Sequence, residues 1–177
     1  MNDAVRRGSL GRFFAGMCEY IFQTHLGVVD PPLVDYLSDM LLRFVSNDTL
    51  CRVRDLSGRP VTEVAGMILE AEHRRGLAKR DVHRHIGDVA LFWTGVFPES
   101  LPKLRRVDSR DFLIDYCSQG KRAYHIAATI ETDRTEDATA DVLERLSNHF
   151  EMCAYGLGEV RREWERRDEG DPKLLIS

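Results

Sequence analysis

The chain has 177 residues, 43% hydrophobic and 31% charged, and its 25 Lys/Arg against 29 Asp/Glu leave a net charge of −4. That balance belongs to a folded globular domain and excludes a disordered chain. Mild acidity also supplies no global field to draw the protein to nucleic acid or to an anionic membrane.

The first expected helix carries Leu10, Phe13, Phe14, Met17, Ile21 and Phe22 at helical spacing and ends at Gly27. Asp30 as N-cap and Pro31 at the first helical position open a second, running to about Val45 with Leu33, Leu37, Met40, Leu41 and Phe44 inward. From Ser46 to Pro60 the pattern breaks, leaving a small hairpin over 50–61 or an irregular loop. Thr62 and Glu63 start a third helix, buried through Val64, Ile68 and Ala71 and closed by Gly76.

A central helix follows at about 82–97. It is apolar or small on every side from Val89 to Phe97, as expected of a helix surrounded by others, and Pro98 stops it. Ile86, Val89, Trp93 and Val96 make a bulky stripe; His83, Gly87, Ala90 and Thr94 make a narrow one that admits a close neighbour. Ser109 is expected to cap a long helix to about Glu131, with Phe112, Leu113, Cys117, Tyr124 and Ala127 inward. A last helix starts near Asp137 and buries Leu143, Leu146, Phe150, Cys153, Leu157, Val160 and Trp164, before a short apolar tail at 173–177. The expected fold is all-α: one domain over 1–177, a bundle of about six helices around the central one.

The stretch RHIGDVALFWTGVFPE at 84–99 resembles one found in an uncharacterised bacterial family of all-helical proteins, and DYCSQGKRAY at 115–124 is similar to that group as well. The two cover under a fifth of the chain. The resemblance implies a bacterial, helical, single-domain protein and carries no catalytic role to any residue. Cys18, Cys51, Cys117 and Cys153 are widely spaced without a C-x-x-C pair, which fits a reducing cytoplasm. Arg12 and Glu19 interrupt the stretch after Arg6 and Arg7 that would otherwise read as a secretion signal, and no apolar run is long enough to span a membrane.

Few constellations carry chemistry. Glu70 and His73 form an E-x-x-H, and Asp81 and His85 share a face across the turn, together a ligand set for zinc or iron. A second E-x-x-H is missing, and Arg74, Arg75, Lys79, Arg80 and Arg84 crowd that end, so no metal and no cofactor is expected. His83-Arg-His85 forms a basic knuckle suited to phosphate or an acidic partner, with an ordinary exposed helix end as the plainer reading. Nucleotide-binding glycine loops and the G-x-S-x-G elbow are absent, and Cys153 beside His149 reads as an inert buried thiol.

Asp88 interrupts the apolar centre and must be paired, hydrogen-bonded or protonated, with Arg84 the nearest cation on its own helix. Tyr116, Gly120 and Tyr124 leave a notch that another helix fills or that forms a cleft with Lys121, Arg122, His85 and Asp88. The preferred reading is a non-enzymatic module that binds a protein partner or small ligand in an inter-helix cleft, with no nucleic acid and no membrane. The alternative is an enzyme, metal-dependent or using His85, Asp88 and a tyrosine for proton transfer.

Overall fold

Apolar residues at three- and four-residue spacing give each helix one face to bury, and those faces close around a central helix. The computed structural model describes residues 2–45, 49, 52–135 and 138–170. The expected break at Ser46, Leu50 and Cys51, the helix start at Asp137 and the tail at 173–177 lie outside those residues. Within them the order is α1 (Asn2–Tyr20) running into a π turn (Ile21–His25), α2 (Pro31–Phe44), α3 (Val64–Glu72) and α4 (Gly76–Gly95). A 3-10 turn (Pro98–Ser100) leads to the short α5 (Leu101–Leu104), followed by α6 (Tyr116–Thr129), α7 (Ala140–Asn148) and α8 (Phe150–Gly170). The protein is an all-α single-domain bundle, with no strand among the described residues. Where a hairpin was one expectation, Arg54 and Pro60 form a single isolated bridge around Gly58.

Several ends follow their local chemistry. The Asp30 carboxylate accepts from Leu33 N at 3.2 Å and caps α2 behind Pro31, and its other oxygen takes Arg145 of α7 at 2.5 Å. Gly27, at φ +66°, occupies the left-handed position that releases the chain from α1.

Other ends correct the sequence reading. Ser109 does not open a long helix: residues 109–115 are turns, and Asp115 caps α6 by accepting from Ser118 N at 3.1 Å. Phe112 and Leu113, expected inward, are accordingly 43% and 85% exposed. The last helix is two helices broken at His149, with α7 capped by Thr139, whose hydroxyl accepts from Val142 N. The buried stripe from Leu143 to Val160 runs through that break, but Trp164 stays at the edge against Phe13 and Phe14. Gly76 stands at the start of α4, beyond the end of α3 at Glu72.

Helix α4 is the centre. Ile86, Val89, Ala90 and Leu91 are buried, and α3, α6 and α8 pack on it while α2 joins through Phe44, whose ring stacks on Phe92. The narrow stripe is the seam with α6. A Cβ on Gly87 would stand 2.6 Å from the Tyr124 ring, and one on Gly120 would stand 2.5 Å from the Phe150 ring and 2.9 Å from Ala90 Cβ. Only hydrogen lets these backbones come so near. Arg161 of α8 finishes the helix, donating to Val96 O at 2.7 Å and lying over the Phe97 ring.

The start of α3 is completed from far along the chain. Asp111 accepts from Val64 N at 3.0 Å, from Ala65 N at 2.7 Å and from the Tyr116 hydroxyl at 2.6 Å. Glu63 answers by accepting from Ser109 Oγ and Arg110 N, each at 3.2 Å. Asp111→Ala removes a buried cap and strands Tyr116, so urea unfolding is expected to show a loss of about 2 kcal/mol. A loss under about 0.5 kcal/mol would mean that water replaces the carboxylate at no cost.

Candidate functional site

Two polar arrangements stand on α4, one sealed and one open. The sealed one is Asp88, 2% exposed. Its Oδ1 accepts from the Tyr36 hydroxyl at 2.5 Å and the Tyr124 hydroxyl at 2.8 Å, and its Oδ2 accepts from Arg43 Nη2 at 3.0 Å. The pairing expected for Asp88 is thus present, but the guanidinium comes from Arg43 on α2 rather than from the neighbouring Arg84. Burial, and then the Asp88 charge, push the Tyr36 and Tyr124 hydroxyls well above the usual phenol range, so both remain donors. Three groups from α2 and α6 therefore converge on one carboxylate of α4, which ties three helices together.

The residues read as one cleft are distributed differently. Tyr124 meets Asp88 inside the core, whereas Tyr116 turns to Asp111. Phe150 of α8 and Ala90 of α4 fill the notch at Gly120. Lys121 pairs on the surface with Glu151 at 2.8 Å. His85 is 4% exposed and stacks on Phe44, with its Nε2 buried and unpartnered.

The alternative metal set does not converge either. Glu70 accepts from Arg74 Nε at 2.8 Å, Asp81 from Arg134 at 2.8 Å, and His73 Nδ1 lies 2.8 Å from Leu69 O. Among the described residues no three His, Cys, Asp or Glu side chains are grouped to hold an ion. Burial pushes the Cys153 thiol up to about 12, beyond use as a nucleophile at neutral pH.

Arg122, the remaining residue of the cleft reading, leads to the open arrangement. It lines a hollow of about 360 Å³ where α3, α4 and α6 splay apart. Each helix contributes one face: Ile68 and Glu72 from α3, Lys79, His83 and Ile86 from α4, and Gln119, Arg122, Ala123 and Ile126 from α6. Ile68, Ile86, Ala123 and Ile126 make the walls aliphatic. Lys79 and Arg122 form no ion pair among the described residues. His83 is 8% exposed and its Nδ1 is buried without a partner. A buried nitrogen left unmatched costs about 1–3 kcal/mol, so it calls for an explanation.

Two other hollows have several of their polar groups committed. One of about 440 Å³ near Trp93 is lined by Glu63, Ser109 and Asp111, which bond to the α3 cap, and by the Arg106–Asp108 pair. Another, of about 290 Å³, holds His85 among Arg52, Arg54, Arg74 and Asp81, but Arg74 and Asp81 are already paired.

Burial, and then the Lys79 and Arg122 charges, push His83 down from 6.5 to about 4. Burial likewise takes His85 to about 4, with the pull of Asp88 opposed by Arg52, Arg43 and Arg84. Both rings are uncharged in the fold at neutral pH, while an unfolded histidine takes up its proton near 6.5. The unfolded state therefore binds more protons between those values. The stabilisation is complete above about pH 6.5 and is lost progressively as pH falls towards 4. The unfolding free energy from urea titration is expected to fall between pH 6.5 and 5, by up to about 1.4 kcal/mol per pH unit for each histidine, and less steeply in His83→Leu. A profile flat from pH 7 to 5 would contradict the buried neutral rings.

Among the described residues no helix is long and apolar enough to cross a membrane. Compared with known protein families, with curated proteins and with solved structures, the chain matches none.

Proposed function

We propose that the protein is a non-enzymatic binding module that takes a small organic ligand in the cleft between α3, α4 and α6. The observation that carries this reading is the combination of aliphatic walls with uncommitted polar groups: Lys79 and Arg122 without ion pairs, and His83 with a buried, unpartnered nitrogen. A concavity that combines apolar walls with polar groups is the usual form of a ligand site, and about 360 Å³ lies in the range such sites occupy.

Binding is preferred to turnover because the carboxylate best placed for proton transfer, Asp88, is enclosed by two hydroxyls and a guanidinium. A cytoplasmic location fits the free thiols of Cys18, Cys117 and Cys153. Cations alternating with carboxylates along α8, as in the Arg161–Glu165 and Arg167–Glu163 pairs, disfavour a nucleic-acid surface.

The test is isoleucine-methyl NMR of the whole chain against a fragment library of mixed charge. The Ile68, Ile86 and Ile126 methyls are expected to shift with at least one fragment, and the fragment should be recovered unchanged. A library that moves none of them, or a fragment converted to product, overturns the reading.

A further inference from the structure

Resting on that reading, we infer that the ligand is an organic anion: an acidic headgroup, held by Lys79, His83 and Arg122, on an aliphatic body lying along the half-buried Ile68 and Ile126. Three facts select this class. First, the cleft contains two cations and one carboxylate, Glu72, and neither cation is neutralised by an ion pair among the described residues. Some arginines elsewhere are committed to carboxylates, as in Arg145 with Asp30 and Arg161 with Glu99, and others such as Arg52 and Arg75 are not among the described residues. Two like charges left facing one hollow repel each other, and an anion between them removes that cost.

Second, the cations come from different helices. Lys79 stands one turn before His83 on α4, and Arg122 is on α6, so positive charge reaches the hollow from two helices and both charges act on His83. A guanidinium offers paired N–H groups matched to a carboxylate or phosphate, and an ammonium adds a point charge. The uncharged His83 ring lines the hollow between these charges without adding to their repulsion. Third, half-buried isoleucines from two helices, Ile68 of α3 and Ile126 of α6, line the same hollow, and Glu72 is exposed. The isoleucines favour an apolar tail, and Glu72 opposes a headgroup of high negative charge.

The experiment is a series of six-carbon chains that differ only at the head, titrated at pH 7 and low salt with the isoleucine methyls as readout. Hexanoate and hexyl phosphate are the anionic arms; hexanol and hexylammonium are the controls. Hexanoate is expected to bind at least ten times more tightly than hexanol, and hexylammonium not at all. Hexyl phosphate binding more tightly than hexanoate would name the phosphoryl head within the same class.

Arg122→Gln and Lys79→Gln should each weaken hexanoate about tenfold. Glu72→Gln should strengthen it, a change of opposite sign that misfolding does not produce. Equal binding of hexanol and hexanoate, or no effect of Arg122→Gln on a folded chain, overturns the anion assignment and leaves the cleft as a site for neutral ligands. Failure of every compound here and in the fragment library overturns the cleft itself.

Discussion

Replacing Asp88 by alanine is expected to lower stability by about 3–5 kcal/mol, because it leaves a buried cluster without its acceptor. Tyr36 and Tyr124 would each keep a hydroxyl inside the core with nothing to donate to, and Arg43 would lose the anion it reaches from α2. For a chain of 177 residues that corresponds to a fall in melting temperature of about 10 °C. Asp88→Asn separates charge from hydrogen bonding. Its carbonyl oxygen can still accept from the tyrosines, but its amide would face Arg43 as a second donor, so about half of the loss is expected. Tyr36→Phe and Tyr124→Phe each remove one of two donors on Oδ1 and should cost about 1 kcal/mol. Urea midpoints measure all four. An Asp88→Ala protein within about 1 kcal/mol of the parent would show that water enters the cluster and that it does not hold the helices together.

Gly120→Leu is expected to cost about 3 kcal/mol, at the upper end for overpacking. The Phe150 ring occupies the space where a first side-chain carbon would go, and Ala90 closes it from α4. Gly120→Ala is the sharper control. In an exposed helix that change stabilises by about 1 kcal/mol, whereas here α6 must move off α4 or Phe150 must rotate. A destabilised alanine variant, followed by proteolysis or hydrogen exchange at the α4–α6 seam, would confirm the close approach. A stabilised one would mean that Phe150 yields easily and the notch is open.

The separation between the two polar arrangements on α4 explains how one helix can be a structural centre and still face a ligand. Asp88 is surrounded and bonded on both oxygens, while His83, little more than one turn earlier, lies where α3 and α6 part and keeps an unmatched nitrogen. Variants at Asp88 should therefore change folding with little change in the affinity of surviving native protein. Those at Lys79, Glu72 and Arg122 should do the reverse, because their side chains form no ion pair among the described residues.

What the sequence determined by itself was local. Apolar spacing specified α1, α2, α4 and most of the last two helices; Asp30-Pro31 and Pro98 marked ends that the backbone obeys for steric and capping reasons. It also required Asp88 to be paired, hydrogen-bonded or protonated, since a lone buried charge is prohibitive, and it marked Gly87 and Ala90 as a narrow stripe. Tertiary structure alone decided the partners. Tyr36 and Arg43 lie 52 and 45 residues from Asp88, and no periodicity relates them. Asp111 reaches back 47 residues to cap α3, which removes residues 109–115 from the helix that Ser109 was expected to open. The sequence reading put His83 in the narrow stripe and Ile86 in the bulky one, and it did not single out the face that Lys79 shares with His83 or the one that Arg122 shares with Ile126. Helical spacing defines a face, but only the packing of three helices decides which faces seal and which part to leave a cleft.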